Sequence, residues 1–277
     1  MSLRRAALTL PTFSQWRLNQ QHLSRLESDL LIAHVTEMSR AQILARPEQQ
    51  LDKAQALKLD QLSLALCEGT PLAYVLGEKE FFGLSLRVNS SVLVPRPETE
   101  LLVETALQHL NPADKVLDAG TGSGAIAIAL ATNTLQLQVA ASDNSKEALT
   151  IAAENAQRHD VAIDFYLSDW FKSLPDTRWN VIVSNPPYIA PNDPHLDALT
   201  AEPTAALIAQ DNGLADLLTI IEESPKFLQS DGWLMLEHGY DQATAVRSAM
   251  LKRGFSEVES VTDLGEIERV TQGCYCE

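Results

Sequence analysis

The stretch Val116-Leu117-Asp118-Ala119-Gly120-Thr121-Gly122-Ser123-Gly124 constrains this chain more than any other. It reads as an apolar strand, a glycine turn and a helix start. Glycines let the backbone turn tightly and approach a ligand closely. In open α/β sheets such a loop sits at the carboxyl end of the first strand, where ligands bind. Asp143 ends the next apolar run, 23 residues after Gly120. An acid there is placed to accept hydrogen bonds from both ribose hydroxyls. Gly120, Gly122 and Ala125 also fit the dinucleotide pattern G-x-G-x-x-G/A, so a dehydrogenase is a live reading of this stretch alone. A glycine turn with no ligand is the plainer reading, and Asp143 counts against it.

The surrounding pattern extends the same architecture. Strands are predicted over residues 115–119, 137–142, 162–167, 180–184 and 232–237, and helices over 124–131, 146–158, 214–228 and 242–252. Two closing strands are predicted near 257–261 and 268–274. Strands alternating with helices mean an α/β fold, a largely parallel sheet with helices on both faces.

The first 75 residues differ. Trp16, Leu18, Leu23, Leu26, Leu30, Leu31 and Val35 recur at helical steps. A second helical segment carries Ile43 and Leu44 and stops near Pro47. A third, over 52–67, places Ala56, Leu59, Leu62, Ser63 and Leu66 on one face. A helical bundle for packing or partner docking is the expected result. Leu84, Leu86 and Val88 alternate, and Val92, Leu93 and Val94 follow, with Asn89-Ser90-Ser91 read as the turn of a hairpin that joins the domains. Arg96-Pro97-Glu98-Thr99-Glu100 then opens a helix reaching about Leu110, Pro97 suiting a first turn and the acids the positive end of the dipole. The expected domains are a helical docking domain over 1–75, a linking hairpin over 76–97 and a catalytic domain over 98–277.

Charge narrows the partners. The chain of 277 residues has 21 basic and 37 acidic side chains, a net of −16. Residues 1–90 hold 10 basic and 9 acidic side chains, and the remainder 11 and 28. A protein that grips nucleic-acid phosphates needs a basic stripe, so direct DNA binding is not expected. No apolar run approaches the roughly 20 residues of a membrane span, and the opening MSLRRAALTLPTF has too short an apolar stretch for a signal peptide. The three cysteines, Cys67, Cys274 and Cys276, make no disulfide framework, which places the chain in a reducing cytoplasm. The histidines are scattered and neither HExxH nor CxxC occurs, so no metal is expected.

Asn185-Pro186-Pro187-Tyr188 follows the apolar run Val181-Ile182-Val183-Ser184. Here the chain resembles aminomethyltransferases that use S-adenosylmethionine and release S-adenosylhomocysteine. Their accepting nitrogen is planar and conjugated, attacks poorly and carries N–H donors. The Asn185 side-chain oxygen and the Pro186 carbonyl can each accept one. Pro186 and Pro187 have fixed φ and stiffen the strand exit. Tyr188 offers a π face beside the developing cation. In methyltransferases of this type an acid after the third strand, here Asp169, accepts from the adenine amino group, and the neighbouring Trp170 packs on the ring. The resemblance therefore implies a cofactor site of Gly120, Thr121, Gly122, Ser123, Gly124, Asp143, Asp169, Trp170 and Asn185. A chance Asn-Pro-Pro-Tyr turn, and a surface Asp169 beside a core Trp170, are the plainer readings of these two motifs.

The flanking sequence resembles one family in particular. Residues 74–83 (YVLGEKEFFG), 94–100 (VPRPETE), 185–189 (NPPYI), 236–239 (LEHG) and 268–273 (ERVTQG) are similar to the release factor glutamine methyltransferases, also called the HemK family. The resemblance implies a Rossmann-like seven-stranded methyltransferase sheet with an N-terminal helical domain. It implies a substrate, the glutamine of the Gly-Gly-Gln loop of peptide chain release factors, and N5-methylglutamine as product. It implies that Phe81, Phe82, Asn185, Pro186, Pro187 and Tyr188 form the glutamine pocket, with Asn185, Pro186 and Tyr188 catalytic. One departure stands out. The family usually carries Gly-Asp-x-Arg before its Glu-Pro, whereas Asp197-Ala198-Leu199-Thr200-Ala201 precedes Glu202-Pro203 here. The rivals are a glutamine of a ribosomal protein, an idle S-adenosylmethionine-binding scaffold, and adenine N6 in DNA. The intact Asn185 and Pro186 disfavour the scaffold, and the acidic charge disfavours DNA.

Overall fold

A computed structural model describes residues 10–276, together with the backbone but not the side chain of Ala198. The opening residues read above as lacking a signal peptide lie largely outside the described ones. The chain divides into two compact units, Met1–Gly77 and Glu78–Glu277.

The first unit is helical: α1 (Phe13–Asn19), α2 (Arg25–Thr36), α3 (Arg40–Ala45), α4 (Lys53–Cys67) and α5 (Leu72–Leu76). The run from Trp16 to Val35 is two helices rather than one. Each of the first four starts on a reciprocal capping box: Thr12 with Gln15, Ser24 with Glu27, Ser39 with Gln42, and Asp52 with Gln55. Each box satisfies two backbone donors that the first turn would otherwise strand. Phe13, Trp16, Leu31, Ile32, Ile43, Leu51 and Leu59 form this unit's core. Leu57 and Leu64, seven residues apart on α4, stay exposed.

The second unit opens with a hairpin, β1 (Glu78–Phe81) and β2 (Leu84–Arg87). Its turn is Phe82-Gly83, not Asn89-Ser90-Ser91, and Val92 to Val94 form no strand. Phe82 and Gly83 have φ of 51° and 75°, the paired left-handed geometry of a two-residue turn that matches strand twist. The helical turn Pro97–Thr99 leads into α6 (Glu100–Leu107). Then come β3 (Lys115–Ala119), α7 (Ala125–Asn133), β4 (Gln138–Asp143), α8 (Lys146–Arg158), β5 (Ile163–Leu167), β6 (Trp179–Ser184), α9 (Ala215–Glu223), β7 (Leu228–Glu237), α10 (Ala243–Arg253), β8 (Ser256–Thr262) and β9 (Glu268–Tyr275). The helix expected over 214–228 ends at Glu223, because Pro225 turns the chain through a tight Ser224–Phe227 helix into β7.

The strands make one seven-stranded sheet in the order β5-β4-β3-β6-β7-β9-β8. The pairs from β5 to β7 are parallel, and β9 runs antiparallel to both neighbours. The central strands are buried on both faces. Val116, Val181, Val183 and Met235 join a layer with α6, α7, α8 and the hairpin; Leu117, Ile182, Leu234 and Leu236 join the opposite layer with α9 and α10. This period-two division is what a sheet covered on both sides requires. The chain builds outward from β3 to β5 and then crosses back to β6. The order reverses between β3 and β6, and the crevice beyond their carboxyl ends is where such sheets bind ligands.

Candidate active site

A cleft of about 310 Å³ opens at that reversal. The loop after β3 forms one side. Gly120, Gly122 and Gly124 all have positive φ, which glycine adopts without strain. The Gly120 and Thr121 amides donate to the Ser142 carbonyl at 2.8 and 2.9 Å. Asp118, fully buried, holds the loop from behind: its Oδ2 accepts from Thr121 Oγ1 at 2.6 Å and from the Ala127 amide at 3.2 Å. Burial pushes the Asp118 carboxyl up to about 7, against those two hydrogen bonds.

Asp143 closes β4 at the cleft. Its Oδ2 accepts from the Gly122 amide and its Oδ1 from the Ser145 amide, both at 2.9 Å. Each oxygen keeps a second lone pair, and burial raises this carboxyl too. Trp170, at φ 49°, lies over Gly120, where an added Cβ would meet the indole at 3.2 Å. Its Nε1 donates to Asp216 Oδ1 at 3.1 Å. Asp169 reaches the cleft with its half-exposed carboxylate paired to Lys172 Nζ at 2.6 Å.

The loop after β6 forms the facing side. Ser184 Oγ donates to the Ala119 carbonyl at 2.5 Å and ties the ends of β3 and β6 together. Asn185 Nδ2 donates to Thr99 Oγ1 at 3.1 Å, and no described residue donates to its Oδ1. The cleft thus meets a side-chain amide whose nitrogen is engaged and whose oxygen is available. The Tyr188 carbonyl accepts from Gln242 Nε2 at 3.0 Å. Glu202, with a side chain only 3% exposed, accepts from the Val94 amide at 3.0 Å and pairs with Arg96. It joins the 91–96 segment to the chain just before Pro203, and both lengths line the cleft.

Of the residues singled out in the sequence, Gly120, Thr121, Gly122, Ser123, Asp143, Asp169, Trp170, Asn185 and Pro187 line this one cleft. Gly124 sits behind it as the left-handed cap of α7, packed on Ala152 and Ile128. Pro186 is buried between two lining residues. Tyr188 turns away, its hydroxyl donating to Glu237 Oε1 at 3.1 Å, and burial raises its pKa. Phe81 lies in the core and Phe82 packs against it, so neither ring lines the cleft. His238 is buried between the Gly239 carbonyl and Thr271 Oγ1. Sequence reasoning missed Asp216, which lines the cleft and accepts from Trp170 Nε1. Thr99 lines the cleft too, whereas Glu237 does not. Among the described residues one trio of possible metal ligands, Asp231, Cys274 and Cys276, comes within 4.8 Å, and none of the three lines the cleft.

A glycine loop, an acid at the next strand end and an amide at the reversal point suit a nucleoside-bearing cofactor with a reacting group near Asn185. The donor set fits it: Asp143 has lone pairs left for hydroxyls, and the indole and prolines supply apolar walls. Two family models match, the methyltransferase small domain over residues 97–213 and the PrmC N-terminal domain over residues 14–77. A crystal structure of a methyltransferase from Pyrococcus furiosus superposes with a TM-score of 0.56 at 17% identity, covering 79% of this chain and 100% of that one. The fold is that of a methyltransferase, and the family-model match over 97–213 spans the loops after β3 and β6 that line the cleft. The release factor glutamine methyltransferase of Coxiella burnetii is 43% identical over 89% of this chain and 90% of its own length. That of Escherichia coli K12 is 43% identical over 94% and 95%. The chain belongs to the release factor glutamine methyltransferase family.

Proposed function

We propose that this protein methylates the side-chain amide of the glutamine in the Gly-Gly-Gln loop of peptide chain release factors, using S-adenosylmethionine. The observation that carries the reading is the Asn185 amide, anchored through Nδ2 on Thr99 with Oδ1 free at the cleft. S-adenosylmethionine supplies an electrophilic methyl group when bound. Asp143 accepts from the ribose hydroxyls, Asp169 from the adenine amino group, and Trp170 walls the ring. Asn185 Oδ1 and the Pro186 carbonyl each accept one N–H of the substrate amide and hold its nitrogen in line. Both acceptors strengthen as positive charge develops on that nitrogen, and such preorganised dipoles are worth about 3 kcal/mol each. Two glycines before the glutamine suit a residue that must be threaded into a narrow cleft. The helical unit serves as the docking module for another part of the release factor. A net charge of −16 favours a protein substrate over DNA.

The test is incubation with methyl-labelled S-adenosylmethionine and a release factor, followed by mapping of the label. Label on the Gly-Gly-Gln glutamine is the expected result. Label on a ribosomal protein or DNA instead, or none, rejects the reading. Asn185→Ala should keep S-adenosylhomocysteine affinity and lose about 100- to 1000-fold in kcat, the range for a missing preorganised partner.

A further inference from the structure

Cys274 lies near the end of β9 and Cys276 just past it. Residues two apart on an extended chain point to the same side, so both thiols leave the sheet on one face. Their Sγ atoms are 3.6 Å apart. That is far beyond the roughly 2.0 Å of a disulfide. It is close to the spacing of two sulfurs on one tetrahedral ion, since Zn–S bonds of about 2.3 Å hold their sulfurs about 3.8 Å apart.

A carboxylate reaches the pair from the neighbouring strand. β7 and β9 are antiparallel, with Gly232 opposite Tyr275 and Trp233 opposite Cys274. The same register sets Asp231 against Cys276. One Asp231 carboxylate oxygen and both sulfurs lie within 4.8 Å of one another. β8, on the other side of β9, supplies an outer partner. Ser256 pairs with Cys274 in the ladder. Its Oγ donates to the Cys274 carbonyl at 3.2 Å and hydrogen-bonds Cys276 Sγ at 3.2 Å. No run of consecutive residues announces this cluster, because its third ligand arrives through strand register.

We propose that Cys274, Cys276 and Asp231 form a binding site for a thiophilic divalent ion of the zinc class, apart from the catalytic cleft, which fastens the end of β9 to β7. Two thiolates and a carboxylate are donors that zinc takes, and a water completes four. Cys274 is buried while Cys276 and Asp231 are exposed, so the ion enters from the solvent side. Burial, then Cys276, Glu257 and Asp231, push the Cys274 thiol up to about 12. Binding therefore releases both thiol protons, and the charge of the ion offsets the anions that oppose the thiolate. The remaining cysteine, Cys67, is exposed on α4 and belongs to no such cluster among the described residues.

The test titrates the reduced full chain with Zn2+, read by calorimetry, and with Co2+, read by absorption. A thiolate-to-cobalt charge-transfer band reports sulfur ligation, and visible bands report tetrahedral geometry. One ion per chain with both signatures is expected. Tm should rise by about 5 °C once free Zn2+ exceeds Kd about 100-fold. Cys276→Ser and Asp231→Asn, at exposed positions outside the cleft, should each weaken binding at least about 10-fold, since even an outer partner of a ligand is worth that much. Without metal both should melt as wild type does. Cys67→Ser should bind as wild type. Absence of the charge-transfer band in wild type overturns the proposal. So does equal binding by wild type and Cys276→Ser, which marks an adventitious ion only, or loss of binding in Cys67→Ser. Binding that leaves Tm unchanged rejects the fastening role.

Discussion

Asn155 and Arg87 hold each other by two hydrogen bonds, one in each direction. The Arg87 amide donates to Asn155 Oδ1 at 2.7 Å, and Asn155 Nδ2 donates to the Arg87 carbonyl at 3.0 Å. The same Nδ2 donates to the Ser123 carbonyl at 2.9 Å. One fully buried side chain on α8 therefore joins the hairpin to the glycine loop. Asn155→Leu leaves three backbone groups without partners, at about 1–3 kcal/mol each. The expected loss in urea unfolding is about 3 kcal/mol or more, with weaker S-adenosylhomocysteine binding because Ser123 is released.

Arg96 and Glu202 form a second tie, between two lengths of chain that line the cleft. Arg96→Ala leaves the Glu202 carboxylate buried with only the Val94 amide. Arg96 is one-third exposed, so solvent softens the effect relative to a fully buried pair. The expected cost is about 2 kcal/mol. Arg96→Lys should recover part of it. Denaturant unfolding of both variants measures this.

Gly213 allows a close approach. At φ 83° an added Cβ would lie 2.2 Å from the Tyr188 carbonyl oxygen and 2.8 Å from Gln242 Nε2. Those two groups form the hydrogen bond that holds the backbone of the Asn-Pro-Pro-Tyr segment. Gly213→Ala must displace backbone, so it should destabilise by more than about 1 kcal/mol and lower kcat as well. Full activity in this variant would show that the segment tolerates being moved.

Stability should fall as pH rises through the weakly acidic range. Asp118 and Glu237 are both pushed up to about 7 by burial. Between about pH 4 and pH 7 the native state keeps these protons while the unfolded chain has lost them. The native state binds more protons there, so unfolding free energy declines with pH and levels off above about 7. Asp118→Asn keeps an acceptor for Thr121 and should flatten this slope. Asp193 and Asp263, half-buried and both lowered by hydrogen bonds, act in the opposite sense and only below about pH 4. Urea midpoints at pH 5 and pH 8 for wild type and Asp118→Asn are the measurement.

Much of the fold was legible because its signals are local. The alternation of strands and helices, the glycine turn after β3, Asp143 at the end of β4 and the Asn-Pro-Pro-Tyr segment after β6 each occupy a few consecutive residues. The four capping boxes are as local, each a Ser, Thr or Asp three residues before a Gln or Glu. The hairpin turn was misplaced because Asn89-Ser90-Ser91 has the composition of a turn, while Phe82-Gly83 becomes one only because Phe81 must enter the core.

The sequence by itself determined the order of elements, the loops that meet at the sheet's reversal and the kind of chemistry they carry, since periodicity and glycine geometry act over a few residues. Only the tertiary structure decided which polar groups answer one another. Asn185 and Thr99 are 86 positions apart, and Tyr188 and Glu237 are 49. A hydrogen bond depends on distance in space, and β6 lies beside β7 only through a crossover the local pattern does not specify. Whether Asn185 shows the cleft its oxygen or its nitrogen is settled at that range.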